Sequence, residues 1–269
     1  MDEKIKPVLT GAAETMLQSF YARAKYSRAN PKKFYDAKAI EIVEKLDCDF
    51  TNAEKDSTMS TGVIARTLVF DELVRDFIAQ NPDCTVVNIA CGLDTRFYRM
   101  DNGRITWYNL DLPETIEVRD AIYGESGRAS TIGVSALDPA WAEKVTKRGK
   151  MLFVIEGLSM YLSPEENAQT LAIIRDNFDN ATVLFETIAK KWVHKEHTEK
   201  SISSTGAKFI FGADTFEEPG DAAKGFRCVK NDSIIRGMAK LMPIIKPFQG
   251  LPYVRKAAEK IIIFEKAQA

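Results

Sequence analysis

Histidine is almost missing from this chain: His194 and His197 are the only two in 269 residues. Cysteine is scarce as well. Cys48, Cys84, Cys91 and Cys228 form no CxxC pair and no metal-type spacing, which argues against a zinc site or a disulfide frame and for reduced thiols. On a helix, His194 and His197 would share a face at i, i+3, yet no third ligand is in view, so no metal is expected. Long apolar runs are absent too. No stretch approaches the roughly 18–20 residues of a spanning helix, and "MDEKIKPVLTG" has no apolar signal core. A soluble, cytoplasmic protein with no membrane partner is the expectation. Charge of one sign is lacking: 37 Lys and Arg face 38 Asp and Glu, so no long-range field points to nucleic acid. Repeats and low-complexity linkers are lacking as well.

What is present begins as helix. "TGAAETMLQSFYARAKYSRAN" sets Met16, Leu17, Phe20 and Tyr21 at helical spacing and ends before Asn30-Pro31. "AKAIEIVEKL" predicts a second helix. Phe70, Leu73, Val74, Phe77 and Ile78 then mark one apolar face of a third, which stops near Asn81-Pro82. From there short apolar runs alternate with helical patterns. Strands are expected at 85–90, 104–111, 128–136, 150–157 and 181–189, with a closing β-branched strand at 260–267. Helices are expected at 112–124, 138–147 and 163–178, the last opening on Ser163, Pro164 and Glu166 as a capping box. Residues 190–204 read as a polar helix, 208–212 as a short apolar run and 221–242 as mixed. Apolar strands alternating with helices argue for a parallel sheet covered on both faces.

The stretch "TVVNIACGLDTRFYRM" carries the first functional signal. A buried strand ends in Ala90-Cys91-Gly92, and an acid, a hydroxyl and a base follow at Asp94, Thr95 and Arg96. Open α/β sheets bind ligands beyond the carboxyl ends of their strands, and Gly92, without a Cβ, permits close approach. Asp111, ending the next strand, lies 19 residues after Gly92, the distance at which such sheets place a carboxylate on ribose hydroxyls. The G-x-G-x-x-G of a diphosphate cradle is missing, which disfavours a nicotinamide dehydrogenase. A ligand with an adenosine at one end and an amino acid at the other, such as S-adenosylmethionine (SAM), suits the polar turn better.

Four ordered blocks, "TVVNIACGLDTRFYRM", "WYNLDLPETIEVRD", "SALDPAW" and "FVIEGLSMYLSPEE", resemble the leucine carboxyl methyltransferase family, in particular its bacterial O-methyltransferase branch. The resemblance extends upstream to "ETMLQSFYARA" and "IARTLVFDELVRDFI" and covers roughly residues 10–190. It implies a doubly wound, mainly parallel seven-stranded α/β sheet with an N-terminal helical cap. A single domain over 1–269 would then divide into a cap (1–80), a cofactor-binding core (84–189) and substrate-side elements with closing strands (190–269). It implies SAM as cofactor, with Ala90, Gly92, Asp94 and Arg96 at its methionine end and Asp111 and Leu112 at the ribose. Leu137 and Asp138 would flank the adenine, and Glu156 and Gly157 would form the floor. Arg66 would meet the SAM carboxylate and so close the helical cap. Ala90 stands where many members carry a glycine, an exchange that a β-like backbone would tolerate.

Methyl transfer from a sulfonium is an in-line displacement, so alignment and exclusion of water are the main demands. A carboxylate acceptor needs no base, whereas a phenol with a pKa near 10 does. The matched blocks hold no histidine, which favours a carboxyl or acidic hydroxyl on a small molecule. Tyr161 is a candidate for positioning that acceptor, and packing is the alternative for its ring. Arg96 and Arg99 are equally readable as ion-pairing residues. Glu14, Tyr21 and Arg23 face the site only if the first helix is a lid. Two rivals remain: a protein or peptide carboxyl methyltransferase, and a catalytically silent SAM- or nucleotide-binding regulator. Oligomeric state is left open.

Overall fold

The computed structural model describes residues 4–6, 12–51, 54, 57–125, 127–193, 208–219 and 224–267. Seven strands form one sheet in the order β3-β2-β1-β4-β5-β7-β6. They are β1 (Thr85–Ile89), β2 (Thr106–Asp111), β3 (Ala129–Gly133), β4 (Met151–Ile155), β5 (Ala181–Thr187), β6 (Phe226–Ser233) and β7 (Lys260–Lys266). The first five run parallel, and β7 is antiparallel to both β5 and β6. The order reverses between β1 and β4, which is where a doubly wound sheet opens a crevice.

Register brings the strand ends level. Ile89 pairs with both Leu110 and Ile155, and Asp111 pairs with Gly133. The residues that follow β1, β2, β3 and β4 therefore share one edge. The central strands are apolar on both sides because both faces are covered: Val87, Phe153 and Phe185 pack with Trp141 and Phe178 on one face. Val86, Trp107 and Val154 pack on the other against Phe70 and Val74.

Helix α3 (Ser57–Gln80) buries Phe70, Leu73, Val74 and Ile78 as its periodicity predicts, and it starts well before that apolar stretch. With α1 (Ala12–Ala29) and α2 (Ala37–Lys45) it precedes the sheet in the chain. The short α4 (Arg96–Met100) follows β1, and α5 (Pro113–Tyr123) follows β2. Helix α7 (Pro164–Asn177) opens with both hydrogen bonds of its capping box, between Ser163 and Glu166. The expected helix at 138–147 shrinks to one turn, α6 (Ala140–Glu143), whose Trp141 stacks on Phe178 at 5.8 Å.

The stretch 221–242 conceals β6 and α8 (Ile234–Leu241). β6 is an edge strand with Arg227, Lys230 and Asp232, and a register shift between Cys228 and Lys230 interrupts its alternation. That is why no clear strand pattern shows. Of the expected polar helix at 190–204, only a 3-10 turn at Lys190–Trp192 is described, and His194 and His197 lie outside the described residues.

Helix α8 lies on α3 with no room between them. A Cβ built on Gly237 would stand 1.9 Å from the carbonyl oxygen of Ala65, the residue before Arg66. Neither backbone can yield without parting the helices. Gly237→Ala is expected to cost about 3 kcal/mol or more of stability, read from urea unfolding. Because α8 presses on α3 beside Arg66, weaker SAM binding is expected to accompany it.

Candidate functional site

A cavity of about 310 Å³ opens at the carboxyl edge between the ends of β1, β2 and β4. The turn after β1 is its most constrained wall. The N–H of Gly92 donates to Asp111 Oδ2 at 2.8 Å, and the Gly92 carbonyl accepts from Arg119 Nη1 at 2.8 Å. The N–H and the carbonyl of Gly92 are thus both engaged before any ligand arrives. Gly92 has φ +48°, and a Cβ there would lie 3.1 Å from the Cβ of Met16 on α1. The glycine is required by its left-handed backbone and by the cap helix. Ala90 also has a positive φ, 54°. The β-like backbone that the alanine was expected to need is absent, and the methyl group sits in a conformation that costs about 1–2 kcal/mol for an L-residue.

Of the residues expected at the cofactor, Arg66, Ala90, Gly92, Asp94 and Asp111 line the cavity. So do Leu112, Leu137, Glu156 and Gly157, and Tyr161 stands on the same wall with its ring edge-on to Phe209. Arg96 and Asp138 do not reach it. Asp138 is exposed and caps the next turn, its Oδ1 accepting the Ala140 N–H at 2.9 Å. Arg96 is 1% exposed, with its guanidinium wholly engaged by carboxylates. It is neither a cofactor contact nor a surface residue.

Those carboxylates belong to a buried ladder of charge. Arg96 binds Asp94 at 2.6 Å, Asp71 at 2.7 Å and Glu156 at 2.7 Å. Arg66 binds the other oxygen of Glu156 at 3.0 Å. On the far side, Arg99 joins Asp71 at 2.9 Å to Asp36 at 2.7 Å. Asp36 also caps α2 through the Ala39 N–H and lies 3.7 Å from Arg23. Burial alone would raise the Asp94 carboxyl, but the charges of Arg96, Arg23, Arg99 and Arg119 outweigh it and hold it well below its ordinary value. Burial likewise opposes the charged form of Asp71, and Arg99 and Arg96 prevail, lowering it. Asp111 is raised by burial, against the lowering effect of its hydrogen bonds to Gly92 and Leu112.

Sequence reasoning missed most of the α1 wall. Met16, Ser19 and Arg23 line the cavity at i, i+3, i+7 of one helix face, a stripe readable once α1 is known to cover the sheet edge. Arg23 is 6% exposed and donates to the Leu93 carbonyl at 3.1 Å. Asn88 and Arg119 left no such signal, since they act from inside a strand and from beneath a turn.

A seven-stranded sheet with β7 antiparallel, and a cavity at its switch point walled by a glycine turn and a second-strand carboxylate, define a class I SAM-dependent methyltransferase. The profile of the leucine carboxyl methyltransferase family matches residues 12–175, and the chain belongs to that family. The tetracenomycin polyketide synthesis O-methyltransferase TcmP of Streptomyces glaucescens is 31% identical over 79% of this chain and 78% of its own. The SAM-dependent methyltransferase dpfgK of Gibberella zeae is 30% identical over 67% and 66%. Among solved structures, a Thermobifida fusca protein provisionally assigned as a methyltransferase superposes with TM-score 0.58 at 14% identity, covering 92% of this chain and 94% of that one. An O-methyltransferase family protein of Burkholderia thailandensis gives 0.51 at 13% identity over 93% and 73%; these two speak for the fold alone. The cofactor is SAM.

Two expectations follow. Ala90→Gly relieves the left-handed strain and is expected to raise stability by up to about 1 kcal/mol, less the chain entropy that glycine adds, measured by urea unfolding. Asp71 and Asp94 are lowered in the fold relative to a free carboxyl near 3.9. The stability they contribute is therefore present above about pH 4 and is lost as pH falls through their lower folded values. The unfolding midpoint is expected to drop steeply below pH 4 in the native protein.

Proposed function

We propose that this methyltransferase acts on oxygen, on a carboxylate or acidic hydroxyl of a small molecule. The observation that carries this reading is the charge on the cavity wall. Arg23 presents a cationic group there and Arg66 one that Glu156 and Glu186 already share, while the carboxylates of Asp94 and Glu156 are bound to arginine. The Cys91 thiol, also on the wall, is pushed well above its ordinary value by burial. Apart from Asp111, whose oxygens accept the Gly92 and Leu112 N–H groups, the acids of the wall are paired and its thiol is protonated, so it has little to offer as a base and suits an acceptor that arrives ionised. The name of the Streptomyces relative, an O-methyltransferase of polyketide synthesis, supports the same acceptor class.

SAM supplies an electrophilic methyl group on a sulfonium. Gly92 and Gly157 keep the floor open for it, and Asp111, at the end of β2, is placed for a ribose hydroxyl. Leu112 offers apolar surface beside the expected ribose position and Leu137 beside the expected adenine position. Arg66 and Arg23 supply cations for an amino-acid carboxylate or for an anionic acceptor. Met16 and Ser19 on α1 roof the cavity and exclude water, and Tyr161 stands at the wall that an acceptor would meet. A carboxyl group on a protein or peptide is the rival acceptor.

Calorimetric titration with SAM, S-adenosylhomocysteine and NAD tests the cofactor half of this reading. Micromolar binding of the first two but not of NAD is expected, weakened at least about tenfold in Asp111→Ala, the loss of one charged hydrogen-bonding partner. Methyl transfer to a panel of carboxylic acids, phenols and peptide C-termini tests the acceptor half. For a carboxylate acceptor the rate is expected to stay level from about pH 6 to 9, because the acceptor is ionised throughout. Turnover confined to peptide C-termini would overturn the small-molecule reading.

A further inference from the structure

Behind the cavity floor lies a carboxylate that none of the roles above uses. Glu186, on β5, has a side chain 1% exposed. Its Oε2 accepts the N–H of Gly157 at 2.6 Å, so the acid sits one peptide away from the cavity. Among the described residues its Oε1 meets no hydrogen-bond partner, and the Arg66 guanidinium lies 3.5 Å away. Glu259, just before β7, has a second buried oxygen with no hydrogen bond. Glu156, on the loop after β4, faces the same arginine but shares its charge with Arg96. Tyr161 faces Arg66 from the 3-10 turn that follows β4. Among the described residues, three acids thus crowd one guanidinium, and only Glu156 has a second arginine.

This arrangement holds more negative charge than its cations balance, next to a cavity whose ligand is cationic before methyl transfer and has lost its sulfonium charge afterwards. We propose that Glu186 is the residue by which the enzyme distinguishes SAM from S-adenosylhomocysteine, holding a proton on Oε1 when the cavity lacks a sulfonium and releasing it to solvent when SAM binds. The inference rests on SAM as the cofactor. Glu186 touches neither ligand directly and is a positioning residue of charge, acting through Gly157 and Arg66. Burial raises its carboxyl, Arg66 opposes this, and Glu259 and Glu156 add to it, leaving it pushed up to about 8. A cation arriving several ångströms away, in an effective dielectric near 20, moves a proton affinity by about one pH unit. SAM therefore favours the ionised acid, while S-adenosylhomocysteine gains nothing from it.

The test is calorimetry of both ligands at pH 7.5 in buffers of different ionisation enthalpy, on the native protein and on Glu186→Gln. Glutamine keeps an acceptor for Gly157 and imitates the protonated acid. The ammonium groups of the ligands titrate in the same range, and their contribution cancels in the difference between the two proteins. That difference is expected to be about half a proton released per SAM and none per S-adenosylhomocysteine. At this pH Glu186→Gln is expected to weaken SAM about threefold and to leave S-adenosylhomocysteine nearly unchanged. Equal weakening of both ligands, or no difference in proton count, would overturn the proposal and leave Glu186 a structural residue. Should Glu186→Gln fail to fold, Glu259→Gln removes a like charge and is expected to reduce the SAM-linked proton release; an unchanged count there also overturns it. If neither ligand bound the native protein, the cofactor assignment itself would fall, and this inference with it.

Discussion

The ion pair between Arg96 and Glu156 is the contact on which the rest of the site depends. It ties the helix after β1 to the loop after β4, the two strands that flank the switch point. From it the ladder extends to Asp71 and Arg66 on α3 and, through Arg99 and Asp36, to the start of α2 and to Arg23 on α1. Burying ions is costly, and such a network stabilises only when nearly every member is paired. The arrangement also fixes the cap over the sheet: the arginines of α4 cannot be satisfied unless α2 and α3 bring their aspartates. The cofactor cavity and its roof are therefore assembled by the same interaction.

The ladder leaves one part of the interior incompletely balanced. Toward α2 every carboxylate meets an arginine, and Asp71 and Asp94 are held ionised. Toward β5 the acids outnumber the cations, and Glu186 is driven the other way. Two environments on either side of Arg66 give opposite answers for the same chemical group, set by the number of guanidinium partners each acid has. The unbalanced side backs the floor of the cavity, where a cationic ligand has the most to offer.

The backbone of the turn after β1 is shaped by what surrounds it. Gly92 is held through both its peptide groups by Asp111 and by Arg119, which is itself buried against Glu125 at 2.6 Å. Asp111 therefore has a structural duty in addition to any ribose contact. Ala90, between the end of β1 and the pinned glycine, also has a left-handed backbone.

Much of the fold was legible in the sequence because strands β1, β2, β4, β5 and β7 are largely apolar on both faces and α7 carries its own capping box. Gly92 and Asp111 were legible from their places at the ends of β1 and β2, and most of the other cavity-lining residues only through the family resemblance of the blocks that carry them. β6 was not, since an edge strand with alternating charges looks like a loop. The role of Arg96 was not either, because its spacing from Gly92 suits a ligand contact, and only the fold brings Asp71 and Glu156, 25 residues before and 60 residues after it, to its guanidinium. Chain order and hydrophobic period determined a parallel sheet covered on both faces, and the family resemblance supplied its doubly wound order and most residues of its carboxyl edge. Only the tertiary structure decided which charges meet, because electrostatic partnership depends on distance and burial, and neither is written in the spacing of residues along the chain.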